Sequence, residues 1–387
     1  MGRFLLNRKH SCVKLQIRFM DRKKTKVSII GTHGVPAKYG GFETLADFIC
    51  QHLSSDFDIT VYCNAHKYPV REKTYFGAKL KYLKLEANGF KGIFYDLITY
   101  CDALFRADVI LYLSPVGSGF MTPLKYITGK KVIVNHGGLN EWEREKLNGL
   151  QKRWAKFNHR IAARFADVNI ADNNIYQQSL KDNFNAASEV IRYGGDHVKK
   201  IAPDDIRFAE KYPFVKNEPY AVSVSRAQLD NNIHIVLEAF ESFSTFKIVL
   251  VSNWSISEYG KNLKEKYKQH PNMILLDAIY DKDELDYIRG NGKVYIHSHS
   301  RCGTAPSLVE AMNLGNAILS YDVPTNKETT KGQALYFTDS ISLCKALNTL
   351  EEVVIEKNRS IMKSVATKEY TWQIISSEYK SLIENLY

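Results

Sequence analysis

Four stretches of the sequence carry residues whose types and spacing could do chemistry. The richest is HSHSRCGTAPSLVEAM, residues 297–312. Gly303 to Ser307 read there as a loop entering a helix, with Glu310 one turn inside, where a buried carboxylate could accept hydrogen bonds from a ribose diol. His297 and His299 share a strand face, because side chains alternate every two residues. The pair could bind a metal, but no carboxylate or thiol lies at a convincing spacing, so no metal and no cofactor is expected. In SVSRAQLDNN (223–232), Arg226 ends an apolar run, and an arginine at the carboxyl end of a strand suits a diphosphate. In VNHGGLNEWEREK (134–146), His136 and Glu141 flank a glycine pair. A histidine there could touch a sugar hydroxyl or share a proton. In VSIIGTHGVPAKYGGFETLADFI (27–49), an apolar run stops at Gly31 and Gly34, Gly40 and Gly41 follow. Such a loop lets backbone approach a ligand closely, and the next helix offers free N–H groups to a phosphate. It is not GxGxxG, so the dinucleotide fingerprint is absent. Each stretch alone also fits a blander role: a packing turn, a locally bonded histidine, a surface arginine, an ordinary helix glutamate. The combination is more specific than any part.

The elements that must position these residues alternate. KVSIIG, DITVYCN, ADVILYLSP, KKVIVNHGG and ADVNIADNN read as strands separated by helical stretches such as GFETLADFICQHL. A second series then begins with PYAVSVSRA and runs through FKIVLVSN, NMILLDAI, GKVYIHSHS and NAILSYDV. Short apolar strands between helices predict a parallel, doubly wound sheet. Two series predict two such domains, with ligands outside the carboxyl ends of the strands. The division expected is a basic arm over 1–25, a first domain over 26–195, a second over 196–365 and a terminal helix over 366–387.

The length of 387 residues suits two domains. Apolar residues at 44% and charged residues at 25% indicate a soluble globular class. No apolar run is long enough to span a bilayer. The net charge of +11 favours anionic partners, among them nucleotide phosphates and an anionic membrane surface. A nucleic-acid binder is the rival of another class, but no helix-turn-helix, zinc-finger or RRM signature is present. The six cysteines form no CxxC pair, so neither a zinc knuckle nor a disulfide framework is indicated, and a cytoplasmic setting fits.

At these residues the sequence resembles retaining GT-B glycosyltransferases of family GT4. It is most similar to the rhamnosyltransferase-like branch of capsule and O-antigen assembly. IIGTHGVPAKYGGFET resembles that branch's opening block. GGLNEWEREK, RYGGD, DNNIHIVLEAF and HSHSRCGTAPSLVEAM resemble later ones. The resemblance implies an α/β GT-B fold: two Rossmann-like domains facing a cleft, with a C-terminal helix crossing back to the first. It implies a donor site of Gly40, Gly41, Arg226, Asn231, Gly303, Thr304, Ser307 and Glu310. His136 and Arg226 would be catalytic, and Tyr39 and Glu141 would meet the acceptor. It further implies transfer of a sugar, L-rhamnose from dTDP-L-rhamnose first and a UDP-hexose or UDP-N-acetylhexosamine as the alternative. The acceptor would be a lipid-linked saccharide at the inner face of the plasma membrane. Two departures bear on the sugar and the phosphates. Cys302 stands eight residues before Glu310, where the wider family has a glutamate, and Asn231 stands where it has a lysine. Substituting Arg226 or Glu310 is expected to cripple transfer without unfolding the chain.

Overall fold

The structure, a computed structural model, describes residues 24–38, 40–85, 89–137, 141–143 and 147–387, with 89–91 and 141 described in backbone only. Two sheets divide the chain. The first holds β1 (Lys26–Ile30), β2 (Asp58–Asn64), β3 (Thr74–Tyr75), β4 (Ala78–Leu83), β5 (Val109–Leu113), β6 (Lys131–Asn135), β7 (Val168–Ala171) and β8 (Glu189–Val190). Their spatial order is β3-β4-β2-β1-β5-β6-β7-β8. The second holds β9 (Tyr220–Val224), β10 (Lys247–Ser252), β11 (Met273–Asp277), β12 (Val294–His297), β13 (Ala317–Tyr321) and β14 (Leu335–Phe337), in the order β11-β10-β9-β12-β13-β14. All pairings are parallel except β3 with β4. Helices cover both faces, which is why the central strands are apolar on both sides.

Both sheets reverse direction beside their first strand. β1 lies between β2 and β5, and β9 lies between β10 and β12. At such a switch point the two crossover helices leave on opposite faces and open a crevice at the carboxyl edge. The residues just after β1, β5, β9 and β12 are therefore Gly31, Ser114, Ser225 and Ser298. Arg226 and His299 sit one residue further on, so the fold brings two separate chemical stretches of the second domain to one crevice.

The chain returns to the first domain at its end. A helix over Glu352–Glu369 breaks at Tyr370 and Thr371, and the next runs Trp372–Glu384. The crossing expected over 366–387 thus begins its helix at Trp372. That helix packs on Gly41–Leu53. Lys380 pairs with Asp56 at 2.7 Å, and Tyr379 accepts from Asn135 Nδ2 at 2.7 Å. Trp372 stacks on Phe48, with centroids 4.4 Å apart and planes 7° apart. The sequence reading overlooked β3 and β4. Phe76 and Gly77, at φ 45° and 88°, make the tight left-handed turn between them.

Candidate functional site

The second domain meets the first around the helix Pro306–Leu314. Its N-terminus faces the N-terminus of the helix Gly41–Leu53. A Cβ built on Gly41 would lie 3.5 Å from Pro306 Cγ and 3.3 Å from Tyr193 Cε2. A methyl group there would rest in ordinary contact with Pro306 and press on the Tyr193 ring. Two helix N-termini brought together from two domains set both positive dipole ends side by side, which favours an anion there. Gly40 is the N-cap residue of the first of these helices and Gly41 its opening residue.

Glu310 lies one turn into the second helix and is tied on both oxygens. Arg289 Nη1 donates to its Oε2, and His197 Nε2 donates to its Oε1 at 3.2 Å. The tautomer of His197 follows from its other side. Trp372 Nε1, which can only donate, gives its proton to His197 Nδ1 at 3.0 Å. Nε2 therefore carries the proton that points at Glu310. Burial alone would push the Glu310 carboxyl up. The Arg289 charge and the His197 contact outweigh it and hold it down to about 2. Arg289 also donates to Asp286 at 2.8 Å and is itself buried. Glu310 keeps an edge toward the cleft, with 16% of its side chain exposed.

The loop before that helix is pressed against the first domain. Thr304 donates its hydroxyl proton to the Asp172 carbonyl. A Cβ on Gly303 would fall 2.0 Å from Asp172 Oδ1, so only glycine fits. Asp172 follows β7 and is half-buried, and its buried Oδ1 has no hydrogen-bond partner among the described residues. Burial pushes its carboxyl up to about 8. Its folded value lies above the ordinary 3.8, so the protonated form stabilises the closed contact. That contribution is complete below 3.8 and lost as pH rises to about 8. Against Asp172→Asn, wild-type unfolding free energy is expected to fall by up to about 1.4 kcal/mol per pH unit between pH 5 and pH 8. Paired urea melts of the two proteins check this. An unchanged gap across the range would show that the carboxyl titrates normally.

A second set of contacts also closes the domains. Glu328 accepts from the backbone N–H groups of Asn174 and Ile175 at 2.9 and 3.3 Å, capping the helix Asn174–Phe184. Arg301 reaches the Glu143 carbonyl at 3.3 Å.

Arg226 stands exposed after β9. Asn231 does not face a ligand. Its side chain donates to the Arg226 carbonyl at 2.7 Å and is buried, so it shapes the loop that presents Arg226. Ser307 hydrogen-bonds Tyr295, one strand away. His299 lies under Arg226, and burial followed by that charge pushes its ring down to about 3. The expectation that no thiol accompanies His297 and His299 is corrected: Cys302 Sγ lies 3.7 Å from His297 Nε2. The turn from β12 into the helix folds back on itself, which linear spacing did not reveal.

His136 is also corrected. Asn169 uses its amide protons on the carbonyls of Ala163 and Ala187, so its Oδ1 accepts from His136 Nε2 at 2.9 Å. His136 Nδ1 then accepts from His159 Nδ1 at 3.0 Å. Both nitrogens are engaged inside the first domain, the ring is buried, and burial pushes it down to about 4. A proton-sharing role toward a substrate does not fit that placement. Tyr39 and the side chain of Glu141 lie outside the described residues.

The opening glycine loop divides in two. Glu43 accepts from Thr32 Oγ1 and His33 N, and Asp47 accepts from Ala37 N at 2.8 Å, so the helix's own acids pin the loop. Among the described loop glycines, Gly41 reaches the second domain, at Pro306. The Gly31 end instead borders a cavity of about 200 Å³ at the β1–β5 switch point. Glu43, Tyr95 and Asp96 line it with Ser114 and Gly117. Asp96 accepts from Ser118 at 2.7 Å, burial pushes it up to about 6, and the Tyr95 hydroxyl has no partner among the described residues. Carboxyl and phenol groups in such a cavity suit sugar hydroxyls rather than phosphates. The sequence reading missed it because its residues come from three distant segments.

Residues 204–358 match the family described as "Glycosyl transferases group 1". Residues 24–196 match one described as "Domain of unknown function (DUF1972)". None of the curated proteins matches the chain. Among solved structures, the chain is similar to sucrose-phosphate synthase from Thermosynechococcus elongatus, with TM-score 0.79 and 13% identity over 94% of this chain and 99% of that one. It is similar to Anabaena HepE in complex with UDP-glucose, with TM-score 0.71 and 16% identity over 94% and 100%. A glycosyltransferase from Rickettsia africae gives TM-score 0.71 and 14% identity over 94% and 98%. These likenesses establish the two-domain GT-B architecture.

Proposed function

We propose a donor and an acceptor for this chain, a glycosyltransferase with a group 1 glycosyl transferase domain: it moves a sugar from a nucleotide diphosphate to a lipid-linked saccharide, with retention. The observation that carries the reading is the meeting of the two helix N-termini at Gly41 and Pro306, with Glu310 one turn into the second helix and Arg226 at the carboxyl end of β9. The diphosphate lies against the Pro306 helix end and Arg226. The ribose meets the exposed edge of Glu310, whose free lone pairs accept its hydroxyl protons. As the sugar–phosphate bond breaks, charge grows on the leaving diphosphate. Fixed N–H groups and a guanidinium stabilise it without reorganising. The acceptor sugar enters the first-domain cavity of Glu43, Tyr95 and Asp96.

L-Rhamnose from dTDP-L-rhamnose is the first donor, on the resemblance of the sequence blocks. A UDP-hexose is the second reading, favoured by the fold's likeness to a protein solved with UDP-glucose. The chain's basic excess supports a working location on an anionic cytoplasmic membrane face, where a lipid-linked acceptor would lie. Among the described residues no helix is long and apolar enough to cross a membrane. The test is to incubate the protein with dTDP-L-rhamnose, UDP-glucose or UDP-N-acetylglucosamine and a polyprenyl-diphosphate saccharide. Released nucleotide and product anomer are then read. One donor should be consumed, only with the lipid acceptor present, giving a product of retained configuration. An inverted product, or no consumption of any of the three, would overturn the reading.

A further inference from the structure

His297, His299 and Cys302 each bring one donor atom to within 4.8 Å of the others. The fold explains the meeting. β12 sets the two histidines on one face, and the loop that follows returns Cys302 to them before the helix begins at Pro306. His297 is buried, and the other two are half-buried. Polar capacity is left over here: among the described residues His299 Nε2 has no hydrogen-bond partner. The spacing has metal-site dimensions. A tetrahedral ion bound at about 2.3 Å to sulfur and about 2.0 Å to nitrogen holds those two atoms about 3.5 Å apart. His297 Nε2 and Cys302 Sγ are 3.7 Å apart. Supporting groups are in place as well. Buried Asn326 donates to the His299 carbonyl at 2.9 Å, holding that ligand segment; its Oδ1 accepts from the Cys302 thiol at 3.5 Å, a bond given up when the thiol loses its proton to a metal.

We infer that His297, His299 and Cys302 form a binding site for a single borderline-soft divalent ion of the zinc class. Two imidazoles and a thiolate match that class and disfavour magnesium or calcium, which take oxygen ligands. Three protein ligands leave the fourth position open. With one thiolate the occupied site keeps a positive charge beside Arg226, so the open position takes an anion. That the anion is the donor's diphosphate rests on the function proposed above; binding of the ion does not.

The test uses the full chain, reduced and stripped of metal, titrated with cobalt(II) and then zinc(II). The expected result is one cobalt per chain, a thiolate-to-cobalt charge-transfer band, and loss of that band as zinc displaces it. Cys302→Ser should abolish the band and weaken zinc binding at least about 10–100-fold, the range that even an outer-shell partner commands. His299→Gln provides an independent second variant with the same expected weakening. Circular dichroism verifies that each variant is folded. Absence of the band in the wild type, or equal zinc affinity in a folded Cys302→Ser or His299→Gln protein, would overturn the site. Neither readout involves glycosyl transfer, so failure here and failure of the donor reading are distinguishable.

Discussion

Replacing Arg226 with alanine lowers kcat/KM for sugar transfer by about 10²–10³-fold, the effect of deleting one fixed donor that faces developing negative charge. The loss falls mainly on kcat, because charge on the diphosphate grows as the bond to the sugar breaks. Lysine at this position should restore only part of the rate, since it gives a point charge in place of a planar fork. The melting temperature should stay within the scatter of the wild type. Arg226 is exposed, and the loop beneath it is held by Asn231 through the Arg226 backbone carbonyl rather than its side chain. Steady-state kinetics and a thermal melt of the same preparations check both halves. A wild-type rate in Arg226→Ala would remove Arg226 from the diphosphate site.

Replacing Glu310 with alanine acts differently, and here the structure revises the sequence expectation. The sequence suggested a carboxylate that could be removed without unfolding the chain. Glu310 is instead a partner of Arg289, whose side chain is only 3% exposed and shares its charge between Glu310 and Asp286. Removing one acid leaves a buried cation with half its compensation, which costs about 3–5 kcal/mol. It also strips His197 of its acceptor and loosens the Trp372 contact where the chain crosses back. Glu310→Ala is therefore expected to lose both transfer and stability, with the denaturant midpoint falling and the slope unchanged. Glu310 is held down to about 2 against an ordinary 4.5, so its stabilising share is present above 4.5 and lost as pH falls toward 2. An alanine variant as stable as the wild type at neutral pH would contradict the ion-pair account.

What could be read from the sequence depended on locality. The strand and helix periods of both domains and the Pro306 helix ending on Gly315 were legible, because each is written within a dozen residues, whereas the return of the terminal helix to the first domain followed only from the family resemblance. β4 was not, since Lys79 and Lys81 interrupt its apolar pattern while pairing with Asp58 and Asp102 from elsewhere. The same limit applies at the site. Arg226 and Glu310 follow strand and helix ends that sequence can locate. Asp172 against Gly303, Arg289 against Glu310 and Cys302 against His297 are meetings of side chains that only the folded chain brings together. His136 was misread because nothing adjacent in sequence announces Asn169 and His159, which occupy both of its nitrogens.

The proposed donor site, at the Gly41 and Pro306 helix ends with Arg226 and Glu310, takes a nucleotide diphosphate. Calorimetric titration of the purified chain with dTDP, UDP and GDP tests it most directly, run beside Arg226→Ala. The account predicts that one of the three binds at a single site per chain and that Arg226→Ala weakens that binding while remaining folded. Binding of none of them, or equal binding to both proteins, would contradict it.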